Sequence, residues 1–306
     1  MYIHDTEYRQ ADETGTLMTC DGISLSYVLH HPAGARGTVV IVQGRSDYIE
    51  KYGEAMTELA SAGYAIASFD LRGQGSSGRL LGDLRTGHVH RFSDYTDDLQ
   101  LFLQTHVLGK LPAPYTLLGY SLGGLISLAA AQAANPPFDG LVLVAPFVGL
   151  HGQIYPEPFI RFFSRTMCTF GWAEHLAKAH PGAETFENQN LTSDRRRYDR
   201  NMKAAKSDPP YLLGSPTYGW LAECLAAAKR VRQKEALSRV GLPTLVLSAG
   251  SDGVIPAAPQ KKVAEGLGAR HVVVPGSRHD LLQERDAMRD AAMAEILSFL
   301  ETVKPR

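Results

Sequence analysis

Cysteine is scarce in this sequence: the 306 residues include three, Cys20, Cys168 and Cys224, and none belongs to a C-x-x-C pair. Such usage is typical of a reducing compartment, and it excludes a disulfide framework and a zinc site built from paired cysteines. The metal-binding motif H-E-x-x-H is also absent. We therefore expect a mechanism that uses neither a metal nor an organic cofactor.

An excess of charge of either sign is absent as well. Thirty-one lysines and arginines face 32 aspartates and glutamates, which leaves a formal net charge of −1. Because the chain has no overall basic field, nucleic acid is not an expected partner. The first ten residues, MYIHDTEYRQ, contain no apolar segment, so we expect no secretory signal and a cytoplasmic location.

Only one uncharged stretch, residues 111–138, has the length of a membrane span. It is interrupted by prolines, glycines and serines, and it divides into a strand, a tight turn and a helix. We therefore interpret it as a buried part of a globular core rather than as a span.

At the middle of this stretch, an apolar run at 115–118 ends at Gly119-Tyr120-Ser121-Leu122-Gly123, and an alanine-rich segment follows. The pattern G-x-S-x-G between a strand and a helix is the signature of a nucleophile elbow, although alone it also fits an ordinary glycine-rich turn. We predict that Ser121 lies on a strained turn and that both glycines allow close backbone contact. The backbone N–H of Leu122 would then face a developing oxyanion.

Short β-branched segments alternate with helical patterns on both sides of the elbow. The predicted strands include residues 38–42, 64–69, 115–118, 141–144, 243–248 and 271–274. Residues 16–31 alternate around Asp21-Gly22, which predicts an antiparallel hairpin. This order predicts an α/β fold with a doubly wound, mostly parallel sheet.

The alternation is interrupted between residues 147 and 239, which contain no convincing strand. We expect residues 1–146 and 240–306 to form the core and residues 147–239 to form a helical cap above the serine. Six residues are tentative substrate-pocket residues: Gln43 and Tyr120 in the core, and Tyr155, Phe159, Phe163 and Trp220 in the cap. Six cap arginines are interpreted either as lipid-phosphate contacts or as solvated helix faces: Arg161, Arg165, Arg195, Arg196, Arg197 and Arg200.

A nucleophilic serine needs a base to accept its proton and a carboxylate to orient that base. Asp252 follows the strand at 243–248 and His279 follows the strand at 271–274. Both therefore belong at the same edge of the sheet as Ser121, in the chain order Ser, Asp, His. We predict that these three residues form a catalytic triad.

Other residues compete for these roles. His88 and His90 lie in a loop that reaches the same edge, but they precede the serine in the chain. Asp280 is the alternative acid. Because it directly follows His279 in the chain, its side chain would point away from the His279 ring if the loop turns normally. The second oxyanion donor should come from the loop after the strand at 38–42, and our candidate is the backbone N–H of Arg45.

A second glycine-rich segment, residues 73–78, fits the G-x-G-x-x-G pattern of dinucleotide sites. A dinucleotide loop opens directly into a helix, whereas residues 79–90 contain further glycines and no helical period. We therefore predict a structured loop held by Asp70 and Arg72. Ser93 is the expected N-cap of the helix that follows.

Several further runs are more specific than the elbow. They are Gly44-Arg45 with Tyr48 and Lys51-Tyr52; Arg72-Gly73-Gln74-Gly75 with residues 77–81; Gly87-His88-Val89 with Arg91-Phe92 and Asp94-Tyr95; and Pro216-Thr217-Tyr218 with Trp220. With these runs the whole chain resembles bacterial lysophospholipases of the monoacylglycerol lipase type, which are α/β-hydrolases. It departs from them at Tyr120 and Leu122, where relatives often have His and Met, and at Gln43, where His is common.

The resemblance implies a cytoplasmic serine hydrolase, able to associate with the inner face of the membrane, that cleaves the acyl ester of a lysophospholipid or a monoacylglycerol. It implies that Ser121 is the nucleophile, His279 the base and Asp252 the acid, with a small lipid ester as partner. The alternatives are a carboxylesterase for small soluble esters and, from another class, a non-catalytic lipid-binding protein on the same fold. The oligomeric state is left open.

Overall fold

The computed structural model describes residues 11–150, 155–180, 185–205, 211 and 213–306. Eight strands form one sheet: β1 (Glu13–Met18), β2 (Ser24–His30), β3 (Thr38–Val42), β4 (Ala65–Phe69), β5 (Tyr115–Tyr120), β6 (Gly140–Val144), β7 (Thr244–Ala249) and β8 (Arg270–Val274). Their order across the sheet is β1-β2-β4-β3-β5-β6-β7-β8.

Strand pairing confirms the mostly parallel sheet. β2 pairs antiparallel with β1 and with β4, while the other neighbouring pairs are parallel. The predicted hairpin is the β1–β2 pair, and Gly22 in its turn has φ +83°, a value that favours glycine. Val42 lies opposite Gly119, and Tyr120 lies opposite Val144. The loops that follow β3, β5 and β6 therefore leave the sheet at one edge, where open α/β sheets bind their ligands.

Helices cover both faces of this sheet. They are α1 (Gly53–Ser61), α2 (Phe92–Phe102), α3 (Leu122–Ala131), α4 (Glu157–Thr169), α5 (Arg195–Ala205), α6 (Tyr218–Val231), α7 (Lys234–Leu237), α8 (Ala257–Leu267) and α9 (Asp286–Leu300). Alternate residues of β3 enter two separate apolar clusters: Val40 and Val42 pack with α2, α3 and α6, while Val39 and Ile41 pack with α1 and α9. A strand buried on both faces explains the continuous β-branched run in its sequence.

The start of α2 differs from the sequence prediction. The helix begins at Phe92, so Ser93 lies in its first turn and is not the N-cap. The N–H of Arg91 donates to Asp94 Oδ2 at 3.1 Å, and the N–H of Phe92 donates to Glu223 Oε2 at 2.9 Å. Carboxylates thus satisfy the helix start in place of the serine hydroxyl. Because Glu223 belongs to α6, this contact is invisible in the local sequence.

Helices α4 to α7 occupy the segment between β6 and β7, and the described part of residues 147–239 contains no strand. Helix α6 packs against α4 and also against α2 and α3, so it joins this segment to the rest of the protein. Two isolated bridges, Gly87 with Pro216 and Leu176 with Thr217, add to the connection. Among the residues that the structure describes, no helix is long and apolar enough to cross a membrane.

Candidate active site

Ser121 occupies the turn between β5 and α3. Its backbone has φ +49° and ψ −111°, a conformation that is rare for a residue other than glycine. The Ser121 N–H donates to Val144 O at 2.9 Å, and the Ser121 carbonyl accepts from the N–H of Phe147 at 2.9 Å. Hydrogen bonds on both sides of the residue, from the end of β6 and the loop after it, stabilise the strained turn.

The two glycines of the elbow are required by close backbone contact. A Cβ on Gly123 would lie 1.9 Å from the carbonyl oxygen of Val42, and a Cβ on Gly119 would lie 2.5 Å from the carbonyl oxygen of Gly123. No side chain fits at either position, as predicted. The same contact brings the end of β3, and the loop after it, against the N-terminus of α3.

The structure brings the three predicted triad residues together. Asp252 lies in the loop after β7, and His279 lies in the loop after β8. His279 Nε2 is 3.0 Å from Ser121 Oγ, and His279 Nδ1 is 2.9 Å from Asp252 Oδ2. The side chains of His279 and Asp252 are buried. This arrangement allows a proton to pass from a hydroxyl to an imidazole that a carboxylate orients.

The surroundings of Asp252 keep it ionised. Its Oδ1 accepts hydrogen bonds from the N–H groups of Val254 and Ile255 at 2.8 and 2.9 Å. Burial alone would raise the pKa of Asp252, but the hydrogen bond and charge of His279, with these N–H groups, hold that pKa below its usual value. A charged carboxylate at Nδ1 favours the tautomer in which Nε2 is free to accept the serine proton.

The alternative residues have other partners. Asp280 Oδ2 lies 2.6 Å from Lys51 Nζ, so this carboxylate is neutralised by a lysine. His88 Nδ1 lies 2.8 Å from Thr217 Oγ1, and His88 Nε2 lies 3.2 Å from His90 Nδ1. Burial, with a smaller contribution from His90, lowers the pKa of His88.

A buried lysine connects two loops of the site, and the sequence analysis missed this feature. Besides Asp280, Lys51 Nζ contacts Asp47 Oδ1 at 2.6 Å. Asp47 Oδ2 in turn accepts the Tyr52 hydroxyl at 2.8 Å and the N–H of Gly44 at 3.0 Å. The cluster therefore holds the loop after β3 through Gly44 and the loop after β8 through Asp280.

The only sequence signal for this cluster was Lys51-Tyr52 in the family resemblance, and it carried no indication of their partners. Lys51 and Asp280 are far apart in the chain, and no periodic pattern relates them. The loops after β3 and β8 both leave the carboxyl edge of the sheet, and they meet there although β5, β6 and β7 lie between the two strands.

The two oxyanion candidates lie on either side of the elbow. Leu122 is the first residue of α3, so its N–H has no carbonyl one turn earlier in the helix. Arg45 follows Gly44 in the loop after β3, and the Gly44 N–H is already bound to Asp47. Donation to an oxyanion by the N–H groups of Leu122 and Arg45 remains a prediction.

Three of the tentative pocket residues are buried structural neighbours of the site. Gln43 is fully buried, with its Nε2 3.5 Å from Ser68 Oγ on β4. The Tyr120 ring lies 5.3 Å from the His279 ring between centroids. Trp220 Nε1 donates to the Tyr95 hydroxyl at 3.1 Å, and the Arg45 guanidinium lies 5.2 Å from the centroid of the Trp220 ring.

The other three pocket candidates form an exposed row on and before α4. Tyr155, Phe159 and Phe163 are 56%, 48% and 41% exposed. The Tyr155 and Phe159 ring centroids are 5.1 Å apart, and the Phe159 and Phe163 centroids are 6.1 Å apart. The row is an open aromatic surface rather than an enclosed tunnel, and its contact with substrate remains a prediction.

Several of the cap arginines have protein partners. Arg197 is buried and pairs with Glu54, Asp194 and Asp286. Arg195 pairs with Asp199 at 2.8 Å, and Arg200 pairs with Glu54 at 3.2 Å. The pairs of Arg197 and Arg200 with Glu54 favour a structural role for these two arginines over lipid-phosphate binding. The pair of Arg195 with Asp199 is exposed and belongs to a solvated helix face.

The glycine-rich segment at 73–78 is the loop that the sequence predicts. A Cβ on Gly75 would lie 2.3 Å from the Asp70 carboxyl group, which accepts the Ser76 N–H at 2.7 Å. Arg72 contacts Asp98 at 2.6 Å. No helix begins between residues 70 and 91, all of which are described, so the geometry of a dinucleotide loop is not present.

Several known proteins are similar to this chain. Lysophospholipase L2 from Escherichia coli strain K12 is 33% identical over 315 residues, which cover 95% of this chain and 88% of that protein. A soluble variant of monoglyceride lipase from Saccharomyces cerevisiae, solved with a substrate analog, superposes with a TM-score of 0.77 at 17% identity and covers 98% of this chain and 99% of its own. A thermostable carboxyl esterase from Bacillus coagulans, solved with glycerol, has the same TM-score at 17% identity over 96% and 99% of the two chains.

The two solved structures share the fold, whereas the lysophospholipase also shares a substantial part of the sequence. The family described as Hydrolase_4, serine aminopeptidase S33, matches residues 33–286. This match spans the elbow and the loops that carry Asp252 and His279. The chain therefore belongs to the serine aminopeptidase S33 family, Hydrolase_4, and has the α/β-hydrolase fold.

Proposed function

We propose that the protein hydrolyses carboxylic esters of lipids that carry a single acyl chain, namely lysophospholipids or monoacylglycerols. The hydrogen-bonded series Ser121, His279 and Asp252 carries this proposal, because it supplies a nucleophile, a base and an orienting acid. The lipid ester is favoured by the relative named lysophospholipase L2, with which the chain is 33% identical.

In the proposed reaction, Ser121 Oγ attacks the ester carbonyl carbon while His279 Nε2 accepts the hydroxyl proton. The negative charge of Asp252 stabilises the imidazolium, and the N–H groups of Leu122 and Arg45 stabilise the oxyanion, each by about 3–4 kcal/mol. His279 then donates its proton to the leaving alcohol oxygen, which leaves the acyl group on Ser121. A water molecule, deprotonated by His279, releases the carboxylic acid and restores the serine.

We further propose that residues 147–239 act as a cap whose aromatic surface meets the lipid. Around α4, Phe162 and Phe170 are 70% and 71% exposed, and they add to the row of Tyr155, Phe159 and Phe163. Contiguous exposed aromatic side chains are typical of surfaces that contact a membrane or an apolar ligand. A peripheral position at the inner face of the membrane would give the enzyme access to lipids with one acyl chain.

The variant Ser121→Ala tests the proposed nucleophile. We expect its kcat on a lysophosphatidyl lipid, a monoacylglycerol and a short p-nitrophenyl ester to fall at least ~10³-fold, with an unchanged circular dichroism spectrum. Ser93→Ala, which alters an exposed serine on α2, is the matched control and should retain wild-type turnover. Retained ester hydrolysis in Ser121→Ala would show that another residue is the nucleophile.

The acyl chain separates a lipase from an esterase of small soluble esters. If the enzyme buries a long chain, kcat/KM should rise with each added CH₂, since burial contributes about 0.8 kcal/mol per CH₂, or roughly fourfold. A profile that is flat or falls beyond short chains would favour the small-ester alternative. Labelling by a fluorophosphonate, lost in Ser121→Ala, would exclude a non-catalytic lipid-binding protein.

A further inference from the structure

Three potential metal ligands lie together outside the group formed by Ser121, His279 and Asp252. His88 and His90 belong to the loop that precedes α2, and Glu174 lies between α4 and α6. One ligand atom from each residue lies within 4.8 Å of the other two. His88 is buried, whereas His90 and Glu174 are exposed, so the cluster is accessible to an ion from solvent.

We propose that His88, His90 and Glu174 form a binding site for a divalent transition-metal ion, for which Zn²⁺ is the best fit. Two nitrogen ligands at about 2.05 Å from a tetrahedral zinc ion lie about 3.3 Å from each other. His88 Nε2 and His90 Nδ1 are 3.2 Å apart, and their rings are inclined at 81°. Two imidazoles and one carboxylate are a common zinc ligand set that leaves one position for water.

The second nitrogen of His88 has the partner that a metal-binding histidine requires. His88 Nδ1 is 2.8 Å from Thr217 Oγ1, an oxygen that also accepts the Trp220 N–H at 3.1 Å at the start of α6. When Nδ1–H donates to this fixed hydroxyl, the lone pair of Nε2 is directed towards His90. The ring is thus held in one orientation before an ion binds.

The ion would connect two parts of the chain. His88 and His90 precede α2 in the core sequence, whereas Glu174 belongs to the segment between β6 and β7. These parts already touch here: the Gly219 N–H donates to Ala173 O at 2.8 Å, and a Cβ on Gly219 would lie 3.0 Å from His88 Cε1. A bound ion would therefore stabilise the position of the loop around Glu174 relative to the core.

Sequence reasoning missed this site because its ligands are not close in the chain. Local motifs such as H-E-x-x-H hold their ligands within a few positions, and the sequence alone indicates His88 and His90 only as candidates for a catalytic base. The third ligand follows 84 positions after His90 and becomes a neighbour only through the packing of α6.

Cobalt binding tests the proposal by a readout that does not depend on ester hydrolysis. When CoCl₂ is added to the full chain after treatment with EDTA, we expect one equivalent to bind with the intense visible absorption of four-coordinate Co²⁺, and ZnCl₂ to displace it. His90→Gln and Glu174→Gln should each weaken binding at least ~10-fold. His175→Gln removes an exposed imidazole next to Glu174 and should bind like the wild type.

Both test variants change exposed side chains, so thermal melts without metal should match the wild type. The proposal is overturned if the wild type binds no ion at one equivalent, or if His90→Gln and Glu174→Gln bind as tightly as His175→Gln. Either result would mean that a simple hydrogen bond joins the two imidazole rings. A supporting result is that zinc protects residues 172–176 from proteolysis in the wild type and in His175→Gln but not in His90→Gln or Glu174→Gln.

Discussion

At the scale of single residues, Lys51 carries a buried charge next to the proposed triad. Its side chain is 9% exposed, and removing an ammonium group from water costs several kcal/mol unless partners compensate. Burial by itself would lower the pKa of Lys51, but the charges and hydrogen bonds of Asp280 and Asp47 raise it above its usual range. The lysine is therefore charged at neutral pH.

Replacing Lys51 by methionine should leave two buried carboxylates facing each other without a cation. We expect Lys51→Met to lower the free energy of unfolding by about 3–5 kcal/mol, measured by urea denaturation at pH 7. The kcat should fall as well, because the loops that carry Gly44 and His279 lose their common anchor.

A double-variant cycle separates this ion pair from general loss of packing. If Lys51 acts through Asp280, the double variant Lys51→Met/Asp280→Asn should lose less free energy of unfolding than the sum of the two single variants. Additive losses would mean that the two side chains contribute independently.

At the scale of secondary-structure elements, a network of ion pairs connects three helices. Glu54 on α1 contacts Arg197 and Arg200 on α5, and Arg289 on α9 lies 3.4 Å from the same carboxylate. Burial alone raises the pKa of Glu54, but the hydrogen bond from Arg197 and the charge of Arg289, with further contributions from the arginines of α5, lower it to about 2. The Glu54 carboxylate thus connects α5, in the segment between β6 and β7, to α1 and α9.

This network predicts a pH-dependent contribution to stability. Because the pKa of Glu54 falls from 4.5 in the unfolded chain to about 2 in the folded one, its contribution is complete above about pH 4.5 and is lost as the pH falls through 2. For this partly exposed group, whose side chain is 22% exposed, solvent screening reduces the expected loss in Glu54→Gln to about 1–2 kcal/mol at pH 7.

Urea denaturation of the wild type and Glu54→Gln at pH 7, 5, 4 and 3 measures this effect. The difference in free energy of unfolding between the two proteins should be constant from pH 7 to 5 and should become smaller at pH 4 and 3. Glu265→Gln, in an exposed pair with Lys261 at 3.9 Å, is the control and should differ little from the wild type. A Glu54→Gln difference that stays constant down to pH 3 would contradict the assignment of the lowered pKa to this carboxylate.

Local patterns predicted most of these elements. The β-branched run of β3, the hairpin at Gly22 and the elbow at Ser121 each show a short-range signal, and the structure contains all three. The predicted N-cap of α2 was wrong, because Glu223 on α6 accepts the hydrogen bond from the N–H of Phe92. The limits of the predicted elements differ by a few residues from the observed ones, since packing decides where a helix ends.

The positions of site residues could be predicted from the sequence where a residue directly follows a strand. Asp252 and His279 follow β7 and β8 directly, so the order of strands placed them beside Ser121. The partners of Lys51, and the grouping of His88 with Glu174, depend on contacts between segments that no sequence period relates. The same limit applies to Arg197 and Arg200 on α5, because no local pattern indicates their pairs with Glu54 on α1. Arg195 and Arg196 lie on a solvated helix face, which is one of the two alternatives that the sequence allows.

At the scale of the whole molecule, large apolar side chains are exposed around α4. Phe162, Phe170 and Trp172 are 70%, 71% and 50% exposed, and they extend the aromatic row described above. Burying such a side chain in an apolar environment contributes about 1.5–3 kcal/mol. Contact of this surface with lipid would therefore strongly increase the time that the protein spends on a membrane.

The double variant Phe162→Ser/Phe170→Ser tests this role of the surface. We expect at least ~10-fold weaker sedimentation with phospholipid vesicles and a similar loss of turnover on lysophospholipid in those vesicles. Turnover of a short soluble ester should not change. Met18→Ser, which alters a 60% exposed apolar residue on β1, should bind vesicles like the wild type. Equal vesicle binding by all three proteins would place lipid contact elsewhere.

The distribution of the triad along the chain affects biosynthesis. The proposed nucleophile follows β5, but its proposed base arrives only with the loop after β8, at residue 279 of 306. A polypeptide whose translation stops before that loop contains Ser121 but lacks the imidazole that we propose deprotonates its hydroxyl. Premature termination would thus release fragments without esterase activity, and the onset of hydrolysis in a cell-free translation reaction would mark synthesis of the C-terminal strand.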